Sequence, residues 1–464
     1  MQALTDHRQF SFWLETCDDD LTPRASLSRS VDVDVAILGG GYSGLWTAYY
    51  LRRDHPELSV AVVDRHIAGF GASGRNGGWC SGKFPVTAGR LLDWFGLEAA
   101  RGLMLAMCES VDEVGRVLEA EQIDAHFRKG GILSLARGAH QVSSIRSSYA
   151  QWQRLGFGDR YRLLSAEESA ARLRVANVHG ALFTPDGACL HPGRLVRGLA
   201  RAVERRGATI YEQTEVTAFK SGSGAALRTP GGEIRARRAV VLAGEAYLTR
   251  LPQLHRALVP MYSLIGLTEP VPEDRWNDIG WRGHETVSSQ RLTVDYLTRT
   301  ADGRILFGSR GAPYRFGSLI SDDQDRHAAT HARIQQSLVD WFPSLEGIRM
   351  THAWGGPVGM PRDWMPTVSF DPASRLATAR GYTGQGVSTT NLAGRILAGL
   401  IAGRRNGLET LPLVRHRSPN WEPEPLRWMA VRYMQSMFLE IDRADEEGRR
   451  RPLGTSIALW LGRH

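Results

Sequence analysis

The run Gly39-Gly40-Gly41-Tyr42-Ser43-Gly44 constrains this chain more than any other, because of what flanks it. Val31 to Leu38 reads as a short apolar-rich strand, and an apolar helix follows from about Ser43 to Arg53 until Pro56 stops it. Leu58 to Val63 reads as a second strand ending at Asp64. Strand, glycine turn, helix and strand make a β–α–β unit whose strands are parallel and whose crossover is right-handed. The glycines fit G-x-G-x-x-G. Gly39 permits the tight turn, Gly41 lets the backbone approach a pyrophosphate, and Gly44 lets the helix pack against the strand. Free N–H groups and the helix dipole then favour an anion at Tyr42 and Ser43. Asp64, with Arg65 beside it, stands 25 residues beyond Gly39. Its carboxylate suits ribose hydroxyls and a cofactor without a 2′-phosphate.

Similar material recurs along the chain. His191-Pro192-Gly193 opens a helix through about Arg205, Thr209 to Tyr211 is a short strand, and Ala239 to Leu242 is a buried one. Leu376 to Tyr382 and Ser388 to Ile401 form a last strand–loop–helix. Residues 90–127 look helical, whereas 258–268 and 291–310 alternate like antiparallel strands. The fold class expected is α/β with α+β: a Rossmann-type domain interleaved with an antiparallel-sheet substrate domain. The first takes residues 31–90, 181–258 and 345–403, and the second 91–180 and 259–344. Residues 1–30 form an arm. Residues 404–464 form a wrapping helical extension, with Leu426, Met429, Tyr433, Met437 and Ile441 at helical spacing opposite Arg427 and Arg432. Packing on the body, a subunit interface and a peripheral membrane contact are all open for that stripe.

Two further glycine segments point to FAD. Gly71-Ala72-Ser73-Gly74-Arg75-Asn76-Gly77-Gly78 follows the second strand; its small residues let a loop cross a flat ring system, and Ser73, Arg75 and Asn76 supply donors. Near the other end, Gly381-Tyr382-Thr383-Gly384-Gln385-Gly386-Val387 leads into a helix whose dipole can stabilise an anionic reduced ring.

With Gly180-Ala181-Leu182, Ala243-Gly244-Glu245-Ala246-Tyr247-Leu248 and Leu392-Ala393-Gly394-Arg395, these motifs make residues 30–430 resemble the FAD-dependent amino acid and amine oxidases, the group of D-amino acid, glycine and sarcosine oxidases. Within it, the chain is most similar to the γ-glutamylputrescine oxidoreductase-like branch. The resemblance implies extended FAD, held also by Val216, Ala243, Gly244, Gly384, Gln385, Gly386 and Val387. It implies hydride transfer from a C–N bond and hydrolysis of the imine. A small-molecule amine and oxygen, reduced to peroxide, are the implied partners. A dehydrogenase feeding a quinone or another carrier, and a subunit with structural FAD, are the alternatives.

Departures from the family sharpen the reading. Its α-amino acid oxidisers often carry an arginine two residues after the glycine of Trp-x-Gly; here the stretch is Trp354-Gly355-Gly356-Pro357-Val358. Arg310 or Arg362 is left to substitute. An amine without an α-carboxylate, with or without a distal anion such as γ-glutamyl or phosphonate, becomes the expected substrate. No cysteine follows Cys189, so the sarcosine-oxidase type of covalent link is absent and FAD is expected to be non-covalent. Gln385 replaces the loop's common histidine. Tyr262, Tyr296, Trp354 and Trp79 are candidate pocket residues because aromatic faces suit an amine or iminium. Lys83 is a candidate cation for oxygen reduction, against its reading as an exposed loop lysine.

Charge excludes little. Of 57 basic residues only Lys83, Lys129 and Lys220 are lysines, and the arginines are scattered rather than gathered on one stripe, so no nucleic-acid surface is expected. Four cysteines without metal spacing fit a reduced, cytoplasmic setting, and His191, His284 and His352 read as structural; no metal is expected. The start lacks a charged region followed by an apolar one, and no stretch has the roughly 18 apolar residues of a membrane helix. A monomer or homo-oligomer fits equally.

Overall fold

The computed structural model describes residues 6–462; the first five residues of the expected arm and the last two of the extension lie outside them. β1 (Val31–Leu38), α1 (Tyr42–Asp54) and β2 (Val60–Val63) form where the apolar pattern places them. β1 sits inside a sheet ordered Thr367–Asp371, Leu376–Arg380, Gly232–Leu242, β1, β2, Thr209–Tyr211. All neighbours in that row pair in parallel except the antiparallel edge strand Thr367–Asp371. Val35, Ile37, Val62 and Val241 join the core on one face, and Ala36, Val63 and Val240 that on the other, as expected of a sheet covered on both sides.

This order decides where the helices begin. β1 and Leu376–Arg380 both run parallel to Gly232–Leu242, so α1 and the helix Gly386–Ala402 start at the same edge of the sheet. The two helices also pack tightly: a Cβ on Gly394 would lie 2.7 Å from Trp46 Cβ. In open parallel sheets that carboxyl edge is where ligands bind.

The second sheet is ordered Met350–Met360, Val259–Thr268, Ile305–Arg310, Asp295–Arg299, Thr286–Ser288, Ile132–Arg137, Val178–Thr184, Arg162–Leu164. It is antiparallel except where Thr286–Ser288 meets Ile132–Arg137. Two segments expected in the nucleotide domain therefore lie here. Val178–Thr184 crosses the boundary drawn at 180, and Met350–Met360 lies beyond the one drawn at 344. Met350–Met360 pairs along its length with Val259–Thr268, from Val259↔Met360 to Thr268↔Met350. Gly355, Gly356, Pro357 and Gly359 break the alternation that would have marked it as a strand.

The C-terminal helix Leu426–Glu446 forms, but its packing face is rotated from the expected stripe. Val431, Met434, Phe438 and Ile441 are buried, while Leu426, Met429 and Tyr433 are exposed. Arg427, expected on the solvent side, is buried, pairs with Glu424 at 2.9 Å and donates to the His255 carbonyl. No helix among the described residues is long and apolar enough to cross a membrane.

Candidate functional site

A cavity of about 620 Å³ opens at the shared helix edge, between the two sheets. Its nucleotide end is built from backbone. Gly39 has φ +110, and a Cβ there would lie 2.6 Å from the Ala243 carbonyl oxygen. A Cβ on Gly44 would come within 2.0 Å of the Gly39 carbonyl oxygen. So Gly44 packs under the turn rather than facing the cavity, whereas Gly39, Gly41, Tyr42 and Ser43 do line it. Asp64 accepts from the backbone N–H of Gly40 and of His66, both at 2.8 Å. Burial outweighs these bonds and pushes its carboxyl up to about 6. Arg65, Val216, Ala243 and Gly244 complete this end.

Next comes the segment 71–79. Ser73 Oγ accepts from Tyr42 N–H at 2.9 Å, tying the segment to the start of α1. Asn76 folds the loop on itself, donating to the carbonyls of Ala72 and Ser73 and accepting from Gly78 N–H. Gly78 thus shapes the loop from outside the cavity, while Gly71, Ala72, Ser73, Arg75, Asn76 and Gly77 line it. Arg75 is buried, pairs with Asp325 at 2.5 Å, donates to the Phe70 carbonyl and lies 4.2 Å from the Phe70 ring centroid. Its Nη2 is left buried without a hydrogen-bond partner.

The opposite loop brings Thr383, Gly384, Gln385, Gly386 and Val387 to the cavity at the start of the helix Gly386–Ala402. Neither N-cap residue, Gly41 or Gln385, supplies a side-chain acceptor to its helix. Glu245 holds this loop in place, a role not read from the sequence. Its carboxylate accepts from the N–H groups of Gly359 (3.2 Å), Gly381 (2.8 Å) and Tyr382 (3.3 Å), and burial raises its carboxyl to about 7. Tyr382 OH in turn meets Ser43 Oγ at 2.8 Å, joining the loop to α1. Two helix starts without side-chain N-caps, glycine turns that a Cβ would fill and an orphaned guanidinium nitrogen fit an extended anionic dinucleotide.

The far wall comes from the second sheet. Tyr296 lies across Gly308, whose Cβ would fall 2.0 Å from the ring, and its OH meets Ser263 Oγ at 2.8 Å. Burial pushes that phenol up to about 12, so it stays protonated. Trp79 Nε1 donates to the Leu297 carbonyl at 3.2 Å. Lys83 is half-buried and lines the cavity, which corrects its reading as an exposed loop lysine; Nζ donates to Ser134 Oγ at 2.7 Å, and burial lowers the ammonium to about 8. Arg310 lines the same wall. Its guanidinium donates to the Thr383 carbonyl at 3.0 Å and has no carboxylate partner among the described residues; burial lowers its pKa. Ser288, Ser289, Arg291 and Asp295, none of them singled out in the sequence, complete the wall.

Three further candidates fall outside. Tyr262 is buried with its OH bonded to the backbone of Ser321, accepting at 2.9 Å and donating at 3.1 Å. Strand alternation explains it: Ser263 faces the cavity, so Tyr262 faces away. Trp354 shares a face with Gly356 and Val358, but its Nε1 donates to the Arg75 carbonyl at 2.9 Å, and Trp13 covers it; it props the 71–79 segment. Arg362 pairs with Glu422 at 3.0 Å, away from the cavity. The histidines are bonded structurally where partners are seen: His191 caps the helix Pro192–Arg205, and His352 pairs with Glu15.

Residues 34–400 match a family model described as FAD dependent oxidoreductase, DAO. The chain is 30% identical over 407 residues to γ-glutamylputrescine oxidoreductase of Escherichia coli strain K12, covering 86% of this chain and 90% of that one. It is 32% identical over 412 residues to probable oxidoreductase OrdL of Rhizobium meliloti strain 1021, again covering 86% and 90%. The crystal structure of glycine oxidase from Geobacillus kaustophilus superposes with a TM-score of 0.66 at 24% identity, over 83% of this chain and all of the other, a likeness of fold.

Proposed function

Since the chain belongs to the DAO family of FAD-dependent oxidoreductases, we propose that it oxidises the C–N bond of an amine bearing an anionic group away from the nitrogen. Arg310 carries this reading. A half-buried cation in a cavity, without a carboxylate partner, gains most from a ligand anion that completes it. Val358 stands on the wall where the family's amino acid oxidisers place their carboxylate arginine, so the anion is expected farther from the reacting carbon. The curated relative named for γ-glutamylputrescine, an amine with a distal carboxylate, is consistent with this.

Gly39, Gly41, Asp64, the 71–77 segment, Val216, Ala243, Gly244 and the 384–387 turn would hold FAD, and no cysteine among the lining residues offers it a thioether link. Bound FAD supplies a two-electron acceptor for the hydride leaving the carbon beside the nitrogen. Arg310 fixes the anionic end by charge-assisted hydrogen bonds and so sets which carbon is presented. The Tyr296–Ser263 pair offers hydroxyls to the amine, and the rings of Trp79 and Tyr296 exclude water from it. The imine released is hydrolysed to a carbonyl compound and an amine or ammonia. Anaerobic reduction of the FAD-loaded protein by amines that end in a carboxylate tests the reading.

Oxygen is the proposed electron acceptor, and Lys83 the cation that stabilises superoxide as it forms. The ammonium is present below about 8 and lost above it. Reoxidation of the reduced protein in oxygenated buffer is therefore expected to slow as pH rises through about 8. Lys83→Met is expected to slow it on the order of 10²-fold at neutral pH. Stopped-flow reoxidation that is slow in the unaltered protein and indifferent to Lys83 would assign the electrons to a quinone or another carrier.

A further inference from the structure

Around the cavity mouth, two loops flank Arg310, and both are fastened to the C-terminal helix Leu426–Glu446. Asp442 accepts from the N–H of Leu292 and of Thr293, each at 2.9 Å, and from the Thr293 hydroxyl at 2.6 Å. It also faces Arg291, with Glu446 joining at 3.2 Å. Thr293 passes the constraint on: its carbonyl accepts from the backbone N–H of Arg310 at 3.2 Å. On the other side, Gln435 brackets the residues after Arg310. Its amide donates to the Ala312 carbonyl and accepts from Tyr314 N–H, both at 3.0 Å. Arg310 ends its strand, so these loops help set the backbone beyond it.

We propose that Asp442 is a positioning residue for the substrate end of the site, seating the 289–294 loop so that Arg291 and Arg310 face the cavity at a fixed spacing. An exposed extension thereby becomes part of the specificity apparatus without touching substrate. The geometry requires an acceptor at both carboxylate oxygens. Asparagine keeps one and turns an amide donor toward N–H groups already donating, so Asp442→Asn releases the loop while the apolar face of the helix, Val431, Met434, Phe438 and Ile441, still packs.

The functional consequence rests on the reading of Arg310 given above, and two readouts separate them. Hydrogen exchange followed by mass spectrometry on the FAD-loaded protein reports the loop alone. Asp442→Asn is expected to raise exchange in peptides spanning 289–294 and 308–314, with FAD content unchanged, and Gln435→Ala in 308–314. Unchanged exchange in Asp442→Asn overturns the proposal. Steady-state kinetics report the consequence. KM for a carboxylate-bearing amine is expected to rise on the order of 10-fold in Asp442→Asn with kcat within about two-fold, while a matched amine without the carboxylate is unaffected. A normal KM in Asp442→Asn alongside a raised one in Arg310→Met overturns the positioning role. A normal KM in both overturns the reading of Arg310, with loop seating decided by the exchange data.

Discussion

Gly44→Ala is expected to yield protein without FAD, or no folded protein at all, whereas Gly41→Ala is expected to fold normally and bind FAD more weakly. The difference lies in what each new methyl group meets. At Gly44 it would stand 2.0 Å from the Gly39 carbonyl oxygen and 3.0 Å from Ile37 Cγ2, and neither the backbone nor the buried strand can give way cheaply. Overpacking of this kind typically costs about 1–3 kcal/mol, more where backbone must move. The shift would pass directly into the turn that α1 presents to the cavity. At Gly41 the methyl meets Ser73 Oγ at 2.9 Å, a side chain that can rotate. The fold survives there, but the backbone can no longer be approached closely. Thermal melting and the FAD-to-protein ratio of the two variants, measured together, check this. Equal FAD content in Gly44→Ala and the parent would remove the turn from the cofactor site.

Arg310→Met is expected to lower kcat/KM for a carboxylate-bearing amine on the order of 10²-fold and to leave an uncharged amine of the same skeleton nearly unchanged. Losing one partner of a buried charge-assisted pair costs about 2–5 kcal/mol, part of it the stranding of the other charge. Methionine keeps the length and apolar contacts of the arginine stem, so packing changes little. The electrostatic environment makes the contrast large: the guanidinium is buried enough that its own pKa falls, and Thr383 offers it only a carbonyl. A uniform loss across both amines would mean that Arg310 shapes the 383–385 turn instead of reading the substrate. A matched series of amines, each with and without the terminal carboxylate, distinguishes these outcomes.

What could be read in the residues was what is local in sequence. β1, α1 and β2 announce themselves because strand, turn and helix succeed one another within 33 residues and each pattern has its own period. The two glycine segments at 71–78 and 381–387 were legible for the same reason, and the structure brings them to one cavity. The far wall was less so. Glu245 is one acid among 49 until three N–H groups from 359, 381 and 382 converge on it. Asp295 and Ser263 reach the cavity only because the second sheet orders its strands out of sequence. Tyr262 was misplaced by a single residue: in a strand, the neighbour of an inward residue points out. Trp354 was misplaced because an aromatic ring near a site can equally be its prop. Charge complementarity was the least visible. A chain with 57 basic residues hides Arg310 among many other arginines, and only geometry separates it from Arg362, which Glu422 already neutralises.

In the proposed reaction, one cavity presents FAD to an amine whose far end is read by Arg310. Anaerobic mixing of the FAD-loaded protein with paired amines, watching the yellow flavin absorption disappear, tests it most directly. The carboxylate-bearing amine is expected to bleach the flavin on the order of 10²-fold faster than its uncharged partner, and simple D-amino acids are expected to be slow. Equal rates for the pair, or fastest bleaching by a small D-amino acid, would contradict it.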